Sequence, residues 1–307
     1  MFGTGLMTGE VTEVLEQRLG AIEGSPEPLE GGITNRNLKV RAGGSDYVVR
    51  LCGKDTDLLG IDRDAELQAT RAAHALGIAP EPVLQLTEPQ CLVTRWIEGR
   101  AASDSELREP ELLRRVARAL RAFHGCGATL PVAFDTFKLG EEYRRQTLAR
   151  GGVVPAAFET ARALMARIEA ALRGSEHAPV PCHNDLLTAN FLLAADGTLT
   201  IVDWEYAGMG DRYFDLGNLA VNNGFSEEDG ARLLEAYWGE PPSERRLAAL
   251  ALMRLVSDYR EGGWGMVQTR LSELDFDYTA YRDKHLGRLL QAAEDPRLER
   301  WLDAAAS

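Results

Sequence analysis

The spacing of apolar residues divides the first hundred positions into helices and strands. Helical spacing predicts one helix over 8–20, with Thr8 as its N-cap, and a second helix over 61–77. Two strand-like runs flank the glycine pair at 43–44, which is typical of a β-hairpin. The run 90–99 is predicted to form a buried strand that ends in a turn. This part of the chain is therefore expected to be rich in sheet.

The remaining positions show mostly helical spacing. Ser226 and Asp229 resemble a capping box at the start of one of these helices. The exception is 189–204, where two short strand-like runs surround an Asp-Gly pair, which is a hairpin signal. The predicted helices cover 109–125, 155–174, 226–238 and 243–260.

Together these elements predict an α+β fold with two lobes. A small sheet-rich lobe covers residues 1–97, and a larger, mainly helical lobe that carries one hairpin covers 98–307. The boundary falls in a turn near Glu98 and Gly99. A chain of 307 residues is long enough to bury a sizeable core.

Charge narrows the range of partners. The chain has a net charge of −13, with 26% charged and 45% hydrophobic residues. Because nucleic acids and anionic membranes attract basic surfaces, this balance argues against both as partners. It is compatible with a cationic substrate, and equally with an acidic surface that serves only solubility. The sequence leaves the oligomeric state open, with a dimer as one option.

The cysteines and the N-terminus bear on the compartment. The cysteines are scattered and form no C-x-x-C pair, so reduced thiols are expected rather than a zinc site. No apolar run approaches the roughly 18 residues of a spanning helix. The first residues do not resemble a signal peptide, and Met7 is an alternative start to Met1. A cytoplasmic location is therefore expected. The four cysteines are Cys52, Cys91, Cys126 and Cys182.

The strongest candidate chemistry lies in HNDLLTAN, residues 183–190, and in the aspartate at 203. Asp185 and Asn190 precede the first strand of the predicted hairpin, and Asp203 ends the second. Because a hairpin brings its outer ends together, Asn190 and Asp203 are expected to be neighbours. Their oxygens suit Mg²⁺, and Asp185 could face a substrate hydroxyl as a base or an orienting group. Taken alone, each could also be a solvated turn residue or a helix cap.

A phosphoryl-transfer site also needs a loop that covers the phosphates and a cation that contacts them. The sequence EGGITNRN, residues 30–37, supplies glycines whose backbone N–H groups can approach a phosphate, although a bare turn would explain them too. Arg50, in the run YVVRL, can supply the cation. Glu66 on the following predicted helix could pair with Arg50 and hold it.

These motifs resemble those of choline/ethanolamine kinases and aminoglycoside phosphotransferases. HNDLLTAN with IVDWEYAG fits the H-x-D-x-x-x-x-N and D-[FW]-E-[YF] elements of these families. GGITN with VVRL resembles the phosphate loop and basic strand of choline-type kinases, and DRYFDLGNLA resembles their F-D-[IL]-G-N segment. GGWGMVQTRLSELDFDYTAYRDKHL resembles their C-terminal helix and the aromatic segment after it. The resemblance covers about residues 30–290 and implies a bilobal protein-kinase-like fold.

The resemblance also implies roles for the matching residues on the catalytic side. Asp185 matches the aspartate near the acceptor hydroxyl, and Asn190 and Asp203 match the Mg²⁺ ligands. Glu205 fits an extra acidic residue that assists metal binding. ATP and Mg²⁺ are therefore the implied cofactors. In this scheme residues 1–97 bind the nucleotide, and residues 98–307 carry catalysis and substrate binding.

On the nucleotide side, the implied residues lie in the first lobe. The glycine-containing loop matches the loop that covers the phosphates. Arg50 matches the cation that contacts the phosphates, and Glu66 matches its partner on the helix. The backbone of 95–97 matches the hinge that binds adenine. His183 matches a histidine that braces the catalytic loop, and Asp215 matches an aspartate that buttresses it. The implied nucleotide-binding residues are Gly31, Gly32, Thr34, Asn35, Arg50, Glu66, Arg95, Trp96 and Ile97.

The substrate side departs from the family pattern. Trp264 and Tyr281 match two positions of an aromatic cage for choline, and Tyr206 is assigned to the same side. Glu261 falls where the family usually has a second tryptophan, and Asn222 where it usually has a glutamate. Loss of one cation–π wall costs about 0.5–2 kcal/mol, which weakens choline binding without excluding it. A carboxylate at 261 favours a hydrogen-bonding amine over trimethylammonium. Core packing of the aromatic residues and a solvated Glu261 are the alternatives.

The resemblance implies an ATP- and Mg²⁺-dependent phosphotransferase that acts on the hydroxyl of a small amino alcohol, such as choline or ethanolamine. An aminoglycoside or thiamine kinase is the sibling alternative. A nucleotide-binding pseudokinase belongs to another class, but such proteins usually lack the base or metal ligands that are present here. A metal-dependent hydrolase that uses His183 and Asp185 would need more histidine or carboxylate ligands than the stretch offers.

Overall fold

The computed structural model describes residues 7–29, 35–53, 56–272 and 274–307. The predicted loop residues Gly31, Gly32 and Thr34 lie outside the described residues. The strands are β1 (Ile22–Leu29), β2 (Arg36–Ala42), β3 (Ser45–Leu51), β4 (Pro82–Thr87), β5 (Gln90–Arg95), β6 (Arg100–Ala101), β7 (Val180–Cys182), β8 (Phe191–Leu193), β9 (Leu199–Ile201) and β10 (Gly208–Gly210). The helices are α1 (Gly9–Leu19), α2 (Arg63–Ala75), α3 (Asp104–Arg108), α4 (Pro110–His124), α5 (Thr136–Ala149), α6 (Ala156–Ala171), α7 (Arg212–Asn222), α8 (Glu227–Trp238), α9 (Glu244–Leu271), α10 (Tyr278–Ala293) and α11 (Leu298–Ala306).

The first five strands form one antiparallel sheet in the order β1-β2-β3-β5-β4. The predicted hairpin at Gly43 and Gly44 joins β2 to β3. Both glycines have positive φ (53° and 76°), which suits the twist of a tight hairpin and which glycine adopts without steric cost. α1 packs on this sheet through Val11 and Leu15, which share a buried cluster with Val40.

The helical region is built around α9, which has 28 residues and packs against α5, α7, α10 and α11. Glycines allow this close packing. A Cβ at Gly217 on α7 would lie 2.7 Å from the carbonyl carbon of Met253, and one at Gly262 would lie 2.5 Å from the side chain of Leu286. The buried core of these helices extends to the β8–β9 hairpin through Phe191.

The predicted hairpin over 189–204 is present as β8 and β9, with Gly197 in the left-handed region (φ 85°) at its turn. β6 lies on the other side of β8. β7 and β10 form a separate antiparallel pair, and the chain from β7 leads directly into HNDLLTAN. The hairpin and the β7 loop therefore place the candidate residues next to one another.

Most of the predicted helices are confirmed, including the Thr8 N-cap and the Ser226–Asp229 capping box. The helix predicted over 243–260 continues to Leu271, because the glycines that follow stay helical and let neighbouring side chains approach closely. β1 was not predicted because IEGSPEPL contains two prolines and a glycine. β7 and β10 were not predicted because they are short and no turn joins them, whereas the equally short β8 and β9 flank an Asp-Gly turn. None of the helices in the described residues has the length and apolar character that a membrane crossing requires.

Candidate active site

The loop between β7 and β8 is fixed by a buried aspartate on α7, Asp215. Its carboxylate accepts hydrogen bonds from the backbone N–H groups of His183 (2.8 Å) and Asn184 (2.6 Å) and lies 2.9 Å from Nε2 of His124. Asn184 has a φ of 68°, in the left-handed region, which asparagine adopts more readily than most residues other than glycine. Asp215 thus determines the path of the loop, in agreement with the buttressing position that the resemblance implies.

The ring of His183 connects this loop to the end of β9. Nδ1 accepts the backbone N–H of Asp185 at 3.2 Å, so the proton is on Nε2, which donates to the carbonyl oxygen of Val202 at 3.0 Å. Burial lowers the pKa of His183 from its ordinary value and so keeps the imidazole neutral. Since both ring nitrogens are engaged, His183 is placed to brace the loop and not to act as a base.

Asn190 and Asp203 lie side by side at the outer ends of the hairpin. The backbone N–H of Val202 donates to the carbonyl oxygen of Asn190 at 3.0 Å, which confirms the predicted adjacency. The side-chain Nδ2 of Asn190 donates to the carbonyl oxygen of Asp185 at 2.8 Å, so its Oδ1 is left to meet a ligand. Asp203, like Asn184, has a positive φ (66°).

Arg50 lies between two carboxylates. Its Nη1 is 2.7 Å from Oε1 of Glu66 and 2.7 Å from Oδ1 of Asp203. Burial alone would lower the pKa of Arg50, but the two carboxylates outweigh burial and the pKa is raised. The predicted Arg50–Glu66 pair is confirmed, and the contact with Asp203 is an addition to it.

Glu205 is buried beside this group. Its Oε2 accepts hydrogen bonds from Nδ2 of Asn35 at 2.7 Å and from Nη1 of Arg63 at 3.2 Å. Burial, reinforced by the charge of Asp203, raises the pKa of Glu205 to about 7. Asn35, the described residue of the predicted phosphate loop, therefore reaches the acidic group that adjoins the hairpin.

A cavity of about 340 Å³ lies between the sheet and the β8–β9 hairpin. The backbone N–H of Arg95 donates to the carbonyl oxygen of Glu81 (2.9 Å), and that of Trp96 donates to the carbonyl oxygen of Asp46 (3.0 Å). These two N–H groups are thus already used, and adenine binding by the remaining polar groups of the hinge backbone, with the N–H of Ile97 among them, stays a prediction. The predicted residues that line this cavity are Arg50, Glu66, Arg95, Trp96, Ile97, Asn190 and Asp203.

A smaller cavity of about 70 Å³ meets the first one at Asn190 and Asp203. Asn222 is not among its lining residues, because it lies at the C-terminal end of α7, where its Oδ1 accepts a hydrogen bond from Arg288 at 3.4 Å. Asn218, one turn earlier on α7, donates a hydrogen bond to Glu261, which lines the cavity. The predicted substrate residues that do line the cavity are Asp185, Tyr206, Glu261, Trp264 and Tyr281.

Glu261 is buried, with 2% of its surface exposed. Its Oε1 accepts hydrogen bonds from Nη1 of Arg260 (2.9 Å) and Nδ2 of Asn218 (3.3 Å), and its Oε2 accepts one from the hydroxyl of Tyr281 (2.7 Å). Burial opposes ionisation, but Arg260 and the other partners outweigh it and the pKa of Glu261 is lowered. The alternative of a solvated glutamate is therefore wrong.

Three aromatic residues form one wall of the smaller cavity. The indole N–H of Trp264 donates to the hydroxyl of Tyr206 at 2.7 Å. The rings of Trp264 and Tyr281 meet edge to face, with centroids 5.4 Å apart and planes at 67°. These side chains are packed into the core and also line the cavity, so the two interpretations of them are compatible.

Arg260 is the site residue that the sequence pattern did not single out. It is buried, its Nη1 lies 3.5 Å from Oδ1 of Asp185, and its guanidinium carbon lies 4.2 Å from the ring centre of Tyr206. Burial raises the pKa of Asp185 well above its ordinary value, and the guanidinium opposes that shift. The available signal was an Arg-Glu pair inside an apolar helix, since buried charges are usually paired.

Comparisons with known proteins agree with this geometry. The model of the phosphotransferase enzyme family matches residues 25–251. Ethanolamine kinase 2 of Rattus norvegicus is 30% identical over 82% of this chain and 72% of its own length. The crystal structure of a choline/ethanolamine kinase family protein from Mesorhizobium loti has a TM-score of 0.80 and 29% identity, covering 96% of this chain and 99% of its own. The structure of LicA in complex with AMP shares the fold, with a TM-score of 0.78, 23% identity and coverage of 94% and 100%.

The matched segment contains the sheet, the β7 loop and the β8–β9 hairpin, and with them Asp185, Asn190 and Asp203. Arg260 and Glu261 lie beyond it. The relatives extend the similarity over most of the chain and are kinases by name. The chain therefore belongs to the phosphotransferase enzyme family and is a phosphotransferase with an alcohol group as acceptor.

Proposed function

We propose that this chain transfers the γ-phosphoryl group of ATP, with Mg²⁺, to the hydroxyl of a small amino alcohol of the ethanolamine or choline type. The observation that carries the proposal is the meeting of two cavities at Asn190 and Asp203. The larger cavity adjoins the basic strand and the hinge, and the smaller one contains Asp185 and the aromatic wall. A nucleotide and an acceptor bound in these cavities would face each other across the hairpin ends.

Asp185 is the proposed group that receives or orients the acceptor proton. Its burial favours the protonated form, so it can take a proton more readily than an exposed aspartate. Arg260 opposes this shift and so helps the carboxylate to be ionised before the reaction. His183 and Asp215 hold the loop in place, which is the positioning on which phosphoryl transfer depends.

The residues at the hairpin ends fit Mg²⁺. Asn190 offers an amide oxygen, and Asp203 and Glu205 offer carboxylate oxygens, which are the donors that Mg²⁺ prefers alongside phosphate oxygens. When bound, the ion would neutralise charge on the transferred phosphate. Glu205 already takes hydrogen bonds from Asn35 and Arg63 on one oxygen, which orients the carboxylate.

The size of the smaller cavity supports a small acceptor. A volume of about 70 Å³ offers room for roughly five water-sized groups, since one water needs about 10–15 Å³. Ethanolamine is of that size, whereas an aminoglycoside with several rings is much larger. The two relatives with ethanolamine or choline in their names support the same substrate class.

A coupled assay of ADP release tests the proposal against ethanolamine, choline, related amino alcohols, thiamine and aminoglycosides. We expect turnover with an amino alcohol, and a loss of about 10²-fold or more in kcat for Asp185→Asn, with Mg·ADP affinity retained. Full activity in Asp185→Asn would refute the role of this residue. Turnover with thiamine or an aminoglycoside alone would favour the sibling activity, and no turnover with any compound would favour a pseudokinase.

A further inference from the structure

The buried guanidinium of Arg260 occupies part of the acceptor cavity's own binding surface. One of its nitrogens, Nη1, contacts Glu261 at 2.9 Å and lies 3.5 Å from Asp185. Its guanidinium carbon lies 4.2 Å from the ring centre of Tyr206. An aromatic face and nearby carboxylates are the features that bind an organic cation, so Arg260 already fills those positions.

The carboxylate of Glu261 has little capacity left for a ligand. It accepts hydrogen bonds from Arg260, Asn218 and Tyr281, and a carboxylate offers about four acceptor positions. Its remaining capacity can be used by a donor N–H group. A quaternary ammonium has no N–H group and would gain only charge attraction at the distance that its methyl groups allow.

The charges of this part of the cavity leave one place for a compact cation. Asp185 and Glu261 are the carboxylates that face Arg260, and the guanidinium compensates one of them. A primary ammonium can compensate the other and can donate to Glu261, while the hydroxyl of the same molecule faces Asp185. Of the three aromatic side chains in the wall, Tyr206 has its face covered by Arg260, so a trimethylammonium group would lose one of its three aromatic contacts.

We propose that Arg260 determines acceptor specificity: it covers the face of Tyr206 and engages the carboxylates, so the cavity prefers a compact primary ammonium to a quaternary one. The inference rests on the proposed function and specifies its substrate class. It assigns to Arg260 a selective role that is separate from the transfer chemistry at Asp185.

The first test compares ethanolamine and choline as substrates of the wild-type protein. We expect kcat/KM for ethanolamine to exceed that for choline by about tenfold or more, which is the value of one lost cation–π contact. Choline should also inhibit ethanolamine phosphorylation only at concentrations about tenfold or more above the KM of ethanolamine. Equal preference, or preference for choline, would overturn the inference.

The second test uses the double variant Arg260→Leu with Glu261→Gln, which uncovers Tyr206 and removes one charge of each sign. We expect the choline-to-ethanolamine ratio of kcat/KM to rise by about tenfold or more. Arg254→Leu, on the same helix, is the matched control, because Arg254 donates to the carbonyl oxygen of Phe225 and does not line the acceptor cavity. Its substrate ratio should equal that of the wild type.

Circular dichroism and thermal melting establish whether the double variant is folded. An unchanged ratio in a folded double variant refutes the specificity role of Arg260. If the double variant does not fold, the wild-type inhibition constants decide, since comparable constants for the two amines contradict the inference. A wild type that phosphorylates neither amine refutes the proposed function itself, which is a different result from an unchanged ratio.

Discussion

At the scale of single residues, Asp215 controls the position of the candidate base. It is completely buried, and its two oxygens accept the backbone N–H groups of His183 and Asn184. The same carboxylate contacts His124, which is hydrogen-bonded to Tyr237. If the carboxylate of Asp215 were an amide, its NH₂ group would face one of these N–H donors, and that donor would lose its acceptor.

Asp215→Asn should therefore reduce both stability and turnover. We expect the free energy of unfolding to fall by about 1–3 kcal/mol, the cost of a buried donor left without an acceptor. Urea unfolding measures this change, and kcat should fall because Asp185 is displaced. Asp196→Asn, at the exposed turn of the hairpin, is the control and should change stability by less than about 0.5 kcal/mol. A variant as stable as the wild type would contradict this role of Asp215.

The candidate site was predictable from the sequence where its residues are close along the chain. Asp185, Asn190 and Asp203 lie within one loop and one hairpin, so local pattern was sufficient to bring them together. Arg260 reaches Asp185 from a helix that begins well after the hairpin, and periodicity carries no information on such a contact. Asn222 was misplaced for a related reason, since its position depends on where α7 ends against α9 and α10.

At the scale of elements, close contact between α7 and α9 keeps the carboxylate of Asp215 and the side chains of Arg260 and Glu261 near the same loop. Gly217 makes this contact, because its missing side chain leaves room for the backbone of Met253. Both the loop and the acceptor cavity therefore depend on one helix pair.

Gly217→Ala should force these helices apart. The added Cβ would lie 2.7 Å from the carbonyl carbon of Met253 and 2.9 Å from its oxygen, so we expect a loss of about 1–3 kcal/mol in unfolding free energy from overpacking. Gly287→Ala on α10 is the matched control, since a Cβ there meets nothing within 4 Å. Because glycine is unfavourable inside a helix, this control should gain up to about 1 kcal/mol. Equal effects of the two changes in urea unfolding would rule out the packing explanation.

Elements were predicted correctly where the apolar pattern repeats over several turns. They were missed where tertiary packing outweighs the local composition. The helices from α4 to α8 that were predicted are amphipathic over several turns. The helix predicted from periodicity stopped at 260 because three glycines usually weaken a helix, whereas the resemblance implied a helix in the run that follows. The neighbouring side chains fill the space that these glycines leave. β7 and β10 are short and far apart in the chain, so they lack the turn signal that revealed the equally short β8 and β9.

At the scale of the whole molecule, Arg63 ties the sheet-rich region to the helical region. From the start of α2 it donates to Glu66 (2.8 Å), Asn35 (3.3 Å) and Thr56 (3.1 Å), and it reaches Glu205, 142 positions away, at 3.2 Å. The two-lobed α+β organisation was predictable from local periodicity. The contact between Arg63 and Glu205 was not predictable, because the two residues are 142 positions apart. The division of the chain between residues 97 and 98 stays a prediction.

Arg63→Met should weaken this tie. We expect the free energy of unfolding to fall by about 1–3 kcal/mol, because Glu205 and the other acceptors of Arg63 lose a buried hydrogen-bond donor, while the charge of Arg50 still acts on Glu205. Arg71→Met, at an exposed position on the same helix, is the control and should change stability by less than about 0.5 kcal/mol. Calorimetric melting of both variants checks the prediction, and a Tm for Arg63→Met equal to that of the control would refute it.

The pairing of Arg50 with both Glu66 and Asp203 has a consequence for the order in which partners can bind. Under the proposed function, a nucleotide without metal would draw the guanidinium of Arg50 away from Asp203 and leave that aspartate without a counter-ion. A nucleotide bound with Mg²⁺ would supply a replacement cation, so the exchange of charges would be balanced. We therefore expect ADP affinity, measured by titration calorimetry, to fall by about tenfold or more when EDTA removes the metal. Equal affinity with and without EDTA would exclude this exchange. Such an exchange would make the cleft select metal-loaded over bare nucleotide before any acceptor is present.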